Sequence, residues 1–144
     1  MDTCLRHGEE CLKDFYITLK SSDSIRFFPN NNPSHFRVKL PERLKVPGHW
    51  KVALCEIHTS KSVQEAVYVC SNLTSRYIAN GSIVPALRHL PDLRKNYVFE
   101  TPYYISIDGV EYDTIEIYIT DDSFNPVSFD AEQVTCTLHF KQVL

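Results

Sequence analysis

Four stretches of this chain alternate apolar and polar side chains with a period of two, a rhythm that fits a half-buried strand. Phe15, Ile17 and Leu19 alternate with Tyr16 and Thr18, and Phe36, Val38 and Leu40 with Arg37 and Lys39. Ile115, Ile117 and Ile119 alternate with Glu116 and Tyr118, and Val134, Cys136, Leu138 and Phe140 with Thr135, Thr137 and His139. Successive strand residues point to opposite faces, so each stretch offers one face to a core and the other to water. No window of about eleven or more residues carries a 3.6-residue period.

Other stretches read as strands with a different character. Trp50 to Ile57 is apolar on both faces and should be covered twice. Ala66 to Cys70 is a short apolar run, and Ser24 to Phe28 and Ile83 to Leu87 are further candidates, the second interrupted by Pro85. Tyr97–Phe99 and Tyr103–Ile107 flank Pro102, which cannot donate to a ladder and so calls for an edge or a break. Breakers separate the runs: Pro29-Asn30-Asn31-Asn32-Pro33, Pro41, Pro47-Gly48, Asp121-Asp122-Ser123 and Asn125-Pro126. Asp108-Gly109 predicts a hairpin joining Tyr103–Ile107 to the Ile115 strand. Ser62-Val63-Gln64-Glu65 matches a capping box, but Val67, Tyr68 and Val69 follow it, so one helical turn is expected there at most, with another near Pro91 to Lys95. Seven to nine short strands with little room for crossovers predict an all-β antiparallel sandwich or barrel.

The 144 residues suffice for one cored domain and not for two. Residues 1–13 carry little pattern and read as an N-terminal arm, leaving 14–144 as the domain. The net charge of -3 comes without a run of like charges, which argues against a nucleic-acid surface. No signal-peptide h-region or membrane-length apolar run is visible. The five cysteines, an odd number, read as reduced thiols in a cell interior. Asn72-Leu73-Thr74 and Asn80-Gly81-Ser82 match the glycosylation pattern, which has no use without a secretory route.

Several groups of residues invite a chemical reading. Cys4, His7 and Cys11 lie close together, but their spacing matches no zinc pattern, and an arm with exposed polar residues is the expected reading. Cys55, Cys70 and Cys136 fall in expected strands, where a cysteine behaves as a small hydrophobe; His58 and His139 offer a conceivable partner, yet nothing in the spacing demands one. Asp121 and Asp122, with Glu111, Asp113 and Glu116 upstream, lack the ligand spacing of a calcium loop and read as a solvated acidic surface. His35, His49, His58, His89 and His139 are scattered and form no cupin-type pair. No catalytic, cofactor or metal residues are assigned, and no enzyme is expected. Glu56 poses a packing problem: if Trp50, Val52 and Leu54 face inward, strict alternation turns Glu56 inward as well. Either a bulge after Leu54 shifts the parity so that Ile57 faces the core, or Glu56 sits at the rim beside a loop donor; the rim is the expected solution, because buried acids are rare.

Beyond the alternation, specific residues carry a resemblance. The first half reads Phe15-Tyr16-Ile17-Thr18-Leu19, Phe28-Pro29-Asn30-Asn31-Asn32, and Gly48-His49-Trp50 followed by Val52-Ala53-Leu54-Cys55-Glu56-Ile57. The second reads Asp113-Thr114-Ile115-Glu116-Ile117, Ile119-Thr120-Asp121-Asp122, Val127, Phe129 and Thr137-Leu138-His139-Phe140. This pattern resembles the minor capsid, or penton, proteins of Polinton/Maverick elements and adintoviruses over Phe15 to Phe140. The departures are His58-Thr59-Ser60, where a proline is common, and Ser123-Phe124 and Asp130-Ala131, where glycines are common.

The resemblance implies a single jelly roll of about eight strands in two facing sheets. It also implies a homopentamer at the capsid vertex, surrounded by double-jelly-roll major capsid proteins, with no cofactor, no membrane and no direct nucleic-acid contact. On that expectation the chain is made in the host cell interior and resides in the virion, and its tyrosines suit subunit interfaces. The competing expectation is a monomeric β-sandwich that binds a ligand or carbohydrate through Trp50, Tyr103, Tyr104 and loop carboxylates.

Overall fold

The alternating stretches become the strands of two facing sheets. The structure is a computed structural model that describes residues 3–7, 10–128 and 131–143, with side chains from Lys13 onward. Twelve strands and no helix occur among the described residues. One sheet runs β1 (Thr3–His7), β2 (Glu10–Lys20), β12 (Val134–Gln142), β4 (Trp50–Thr59), β10 (Ile105–Ser106), with β9 (Asn96–Val98) also on β4. The other runs β3 (His35–Lys45), β11 (Glu111–Asp121), β5 (Val67–Ser71), β8 (Ala86–Leu90). A hairpin, β6 (Tyr77–Ala79) and β7 (Ser82–Val84), sits between β5 and β8 in sequence.

The pairings nest. β2 pairs β12, β3 pairs β11, β4 pairs β10 and β5 pairs β8, all antiparallel. A long two-armed ribbon has therefore been wound so that each step along it changes sheet, which is a jelly-roll sandwich. β9 and β10 lie along one edge of β4, opposite Glu56–His58 and Lys51–Val52, and the interval between them contains Pro102, whose missing amide suits the break. β1 pairs residues 10–14 of β2, whereas β12 pairs residues 14–20. The first hairpin thus runs past the sheet, over the span expected as an arm; Met1, Asp2, Gly8 and Glu9 of that span lie outside the described residues.

The core is the space between the sheets. Leu19, Leu54, Ile57, Leu138 and Phe140 from one sheet and Phe36, Ile115 and Ile117 from the other are fully buried. Phe15 stacks on Phe140 at 4.9 Å and tilts against Trp50 at 5.5 Å. A smaller core lies on the outside of the second sheet. The β6–β7 hairpin folds back so that Ala79 and Val84 cover Tyr68, Cys70 and Ala86, which is why all five residues of β5 are buried.

Three local expectations are corrected. Asp108-Gly109 does not close a hairpin, because β10 belongs to the first sheet and β11 to the second. The Asp108 carboxylate accepts from Ser75 and Arg76, and the Gly109 amide donates to the Tyr112 hydroxyl, so the pair anchors a change of sheet. The two-residue hairpin turn forms instead at Asn80-Gly81, both with positive φ (51° and 76°), as that turn type requires. Ser24–Phe28 is a run of turns, and the two expected helical turns are extended segments bridged to each other, Val63 and Leu93 exchanging backbone bonds of 2.8 and 2.9 Å.

Glu56 escapes the interior by the bulge and not at the rim. Leu54 pairs Leu138 and Glu56 pairs Thr137, so Cys55 is the extra residue on β4. Parity changes there: Val52 and Leu54 face in before it, Ile57 and Thr59 after it. Glu56 stands mid-strand on the outer face, its side chain 40% exposed. Replacing Ile57 by Ala should therefore cost about 2–5 kcal/mol, whereas Glu56→Ala should stay under about 1 kcal/mol. Urea unfolding of the two variants checks this, and equal losses would mean that the parity change is misread.

Candidate functional site

The outer face of the first sheet collects the polar groups of β2, β12 and β4 in cross-strand rows. His139 is almost buried there. Its Nε2 lies 2.9 Å from Asp14 Oδ2 and its Nδ1 2.7 Å from the Tyr104 hydroxyl, while the Tyr16 ring stacks on it at 4.3 Å. The neutral tautomer with hydrogen on Nε2 satisfies both contacts, donating to the carboxylate and accepting from the phenol. Lys141 Nζ lies 3.9 Å from the centre of the Tyr104 ring. This order, carboxylate to imidazole to hydroxyl, is that of an activated nucleophile. Burial, however, pushes the Tyr104 phenol above its ordinary value of 10, which disfavours the phenolate such chemistry would need. The chain of bonds ties β2, β12 and the segment before β10 together.

His58 stands in a second group. Its Nδ1 lies 3.0 Å from Asn96 Oδ1 and its Nε2 2.9 Å from Glu56 Oε1. Both ring nitrogens face oxygen acceptors, which only the imidazolium satisfies fully. The hydrogen bond to Glu56, then that to Asn96, raises the His58 pKa above 6.5. Elsewhere His35 meets Glu116 and His89 meets Asp122, so these histidines serve as partners for surface carboxylates.

Among the described residues, Cys70 and Cys136 are buried thiols and Cys55 is half-buried. Burial lifts Cys70 and Cys136 each to about 12, and burial followed by the nearby Glu56 charge raises Cys55 as well. The Cys55 thiol points at the Ala53 carbonyl, 3.9 Å away, while His58 and His139 spend their ring nitrogens on other partners; the conceivable Cys–His pair does not form. The side chains of Cys4, His7 and Cys11 lie outside the described residues. Asp121 Oδ1 accepts the amides of Ser123 and Asn125 at 2.9 Å each, bonds that lower its pKa, and Asp122 faces His89. Among the described residues no group of three or more histidines, cysteines or acids is arranged to hold a metal ion.

Two concavities stand out among the described residues. The larger, about 510 Å³, opens between β2 and β3 over Phe15, Ile17, Leu40 and Leu44, and Glu42, Arg43 and Lys45 also line it, Arg43 paired with Glu111 at 3.5 Å. Its floor exists because β3 and β11 lose register: Leu44 pairs Tyr112 and Lys39 pairs Thr114, so Leu40 to Arg43 loop outward around Pro41. Nothing in the alternation announced this groove, although Pro41 interrupting a strand was the available signal. The smaller, about 180 Å³, is a cleft among Tyr77, Arg88, His89 and Tyr103. Of the aromatics expected for ligand binding, Tyr103 reaches this cleft, Tyr104 is held by His139, and Trp50 is buried with its Nε1 donating to the Pro47 carbonyl at 2.9 Å.

Two outcomes test these placements. Maleimide labelling of the native protein at pH 8 with peptide mapping should leave Cys70 and Cys136 unmodified until the chain is unfolded; prompt native labelling of either would contradict their burial. The His58 pair should add stability that is fully present below pH 6.5 and lost as pH rises through the raised folded value. Glu56→Gln should flatten that part of the stability–pH profile and change the melting temperature little at pH 8. No protein-family model matches the chain, and no curated protein matches it.

Proposed function

We propose that this chain is a structural subunit of a viral capsid, a penton that closes a homopentamer at an icosahedral vertex among double-jelly-roll major capsid proteins. The observation that carries the reading is the nested pairing of β2 with β12, β3 with β11, β4 with β10 and β5 with β8, the winding implied by the resemblance. A fold of this kind hosts many functions, so the residues of the resemblance matter more than the architecture. Those residues are architectural. Gly48 takes φ 88° at the turn into β4, Trp50, Val52, Leu54 and Ile57 fill the core, and Glu56 follows the parity-shifting bulge. Exposed apolar side chains supply material for contacts between subunits: Tyr16, Phe27, Ile78, Ile83 and Val98 each expose more than 60% of their surface. On this reading the protein is made inside the host cell, where free thiols persist, and ends in the virion.

Co-expression with its major capsid protein, followed by negative-stain imaging, should show five-fold rings or five-fold vertices containing this chain. A strictly monomeric chain that never enters particles would overturn the proposal.

One observation favours a second reading, a monomeric module that binds a carbohydrate or other small ligand. The cleft of Tyr77 and Tyr103, with ring centres 5.8 Å apart, adjoins Arg88 and His89. Saturable chemical-shift changes confined to these four residues on titration with monosaccharides, in a chain that stays monomeric, would support that module over the capsid role.

A further inference from the structure

Three separate parts of the chain wall the cleft of about 180 Å³. Tyr77 comes from the start of the β6–β7 hairpin, Arg88 and His89 from β8, the edge strand of the second sheet, and Tyr103 from the link between β9 and β10. That link holds the other two in place. Phe99 lies under the Arg88 guanidinium, its ring centre 4.1 Å from Cζ, and the Thr101 carbonyl accepts from Arg88 Nη1 at 2.9 Å. The Tyr103 ring meets the Tyr77 ring edge to face. The guanidinium is therefore fixed flat before any ligand arrives, which lowers the cost of ordering it on binding.

Arg88 is a cation without an anion. Its guanidinium carries several N–H donors; one goes to Thr101, and no carboxylate among the described residues pairs with it. Asp122, the acid beside the cleft, is engaged by His89 Nε2 at 2.9 Å, and Glu100, between Phe99 and Thr101, makes no ion pair. The hydroxyls of Tyr77 and Tyr103 also have no hydrogen-bond partner among the described residues. Burial, then the neighbouring Tyr103, raises the Tyr77 phenol above its ordinary value of 10, against a smaller lowering by the Arg88 charge, so Tyr77 keeps its proton at neutral pH. One place thus offers a planar cationic fork, two phenol hydroxyls and two aromatic rings.

We propose that this cleft binds a sugar acid, its carboxylate on the Arg88 N–H groups that Thr101 leaves, its ring against Tyr77 and Tyr103. The inference rests on the ligand-binding reading of the cleft and narrows its ligand from any sugar to an acidic one. A guanidinium fork matches the two oxygens of a carboxylate in one plane. A sugar ring has an apolar C–H face for an aromatic ring and hydroxyls for the phenol tips, the two kinds of contact a tyrosine makes at once. Small-molecule sites usually measure about 300–1,000 Å³, so this one takes a single ring with the charge borne directly on it, as in a uronic acid. So few atoms in an open cleft should bind with a Kd of roughly a millimolar.

The test is a heteronuclear NMR titration of the full chain at pH 7 and low salt with three probes: glucuronate, glucose and acetate. Glucuronate should give saturable shifts at Tyr77, Arg88 and Tyr103, and bind at least about tenfold more tightly than glucose, which lacks the charge, or acetate, which lacks the ring. High salt should weaken glucuronate in the wild-type chain and leave glucose unchanged. Arg88→Gln should remove the preference for glucuronate over glucose. Tyr103→Ala, at a half-exposed position, should weaken glucuronate without changing acetate, and it keeps the test decisive if the loss of Arg88 from Phe99 unfolds the first variant. Glucose binding as tightly as glucuronate would overturn the acidic ligand and leave the cleft standing as a site for neutral sugars. Acetate binding as tightly would overturn the part given to the rings, and with it the sugar. Silence from all three probes would overturn both this inference and the ligand-binding reading of the cleft.

Discussion

The structure depends on apolar contact between the central strands of its two sheets. β12 and β4 supply Leu138, Phe140, Leu54 and Ile57, and β11 with β3 supplies Ile115, Ile117 and Phe36, all withdrawn from water. Every other feature is arranged around that layer. The edge strands β9 and β10 are short, the polar rows stand on the outer faces, and the bulge at Cys55 keeps β4 committed to the core on both sides of a carboxylate. Burial of this kind is not directional, so the strands' alternation, and not any particular contact, fixes which side chains enter.

That is also why so much of the fold was legible before coordinates. Phe36 and Val38, Ile115, Ile117 and Ile119, and Val134, Cys136, Leu138 and Phe140 point inward as their spacing requires. What resisted reading was chemistry that depends on distant partners. The Asp108-Gly109 dipeptide carries a hairpin signature, yet Ser75, Arg76 and Tyr112 recruit it for a passage between sheets. Asn80-Gly81 carries the same signature and forms the turn. Local sequence does not separate the two; the company each keeps in three dimensions does.

The polar groups show the same limit. Asp14, Tyr104 and His139 lie far apart along the chain and meet only because β2 and β12 are neighbours and the segment before β10 crosses beside them. No spacing rule would have joined them. By contrast, Glu56 and His58 are two residues apart on one strand and share a face, as period two dictates once the bulge is passed. Cys70 and Cys136 were readable for a simpler reason: apolar neighbours on a strand imply burial, and burial withholds the thiolate.

The nested pairing has a consequence for biogenesis. β12, made more than a hundred residues after β2 begins, lies between β2 and β4. Until it arrives, both of those strands hold open hydrogen-bonding edges, and Leu19 and Leu54 lack the Leu138 and Phe140 side chains that complete their layer. Pairing between segments so distant in sequence is entropically slow and leaves sticky intermediates exposed in the meantime. A polypeptide built this way cannot complete its first sheet strand by strand in the order of synthesis; β2 and β4 must wait for β12.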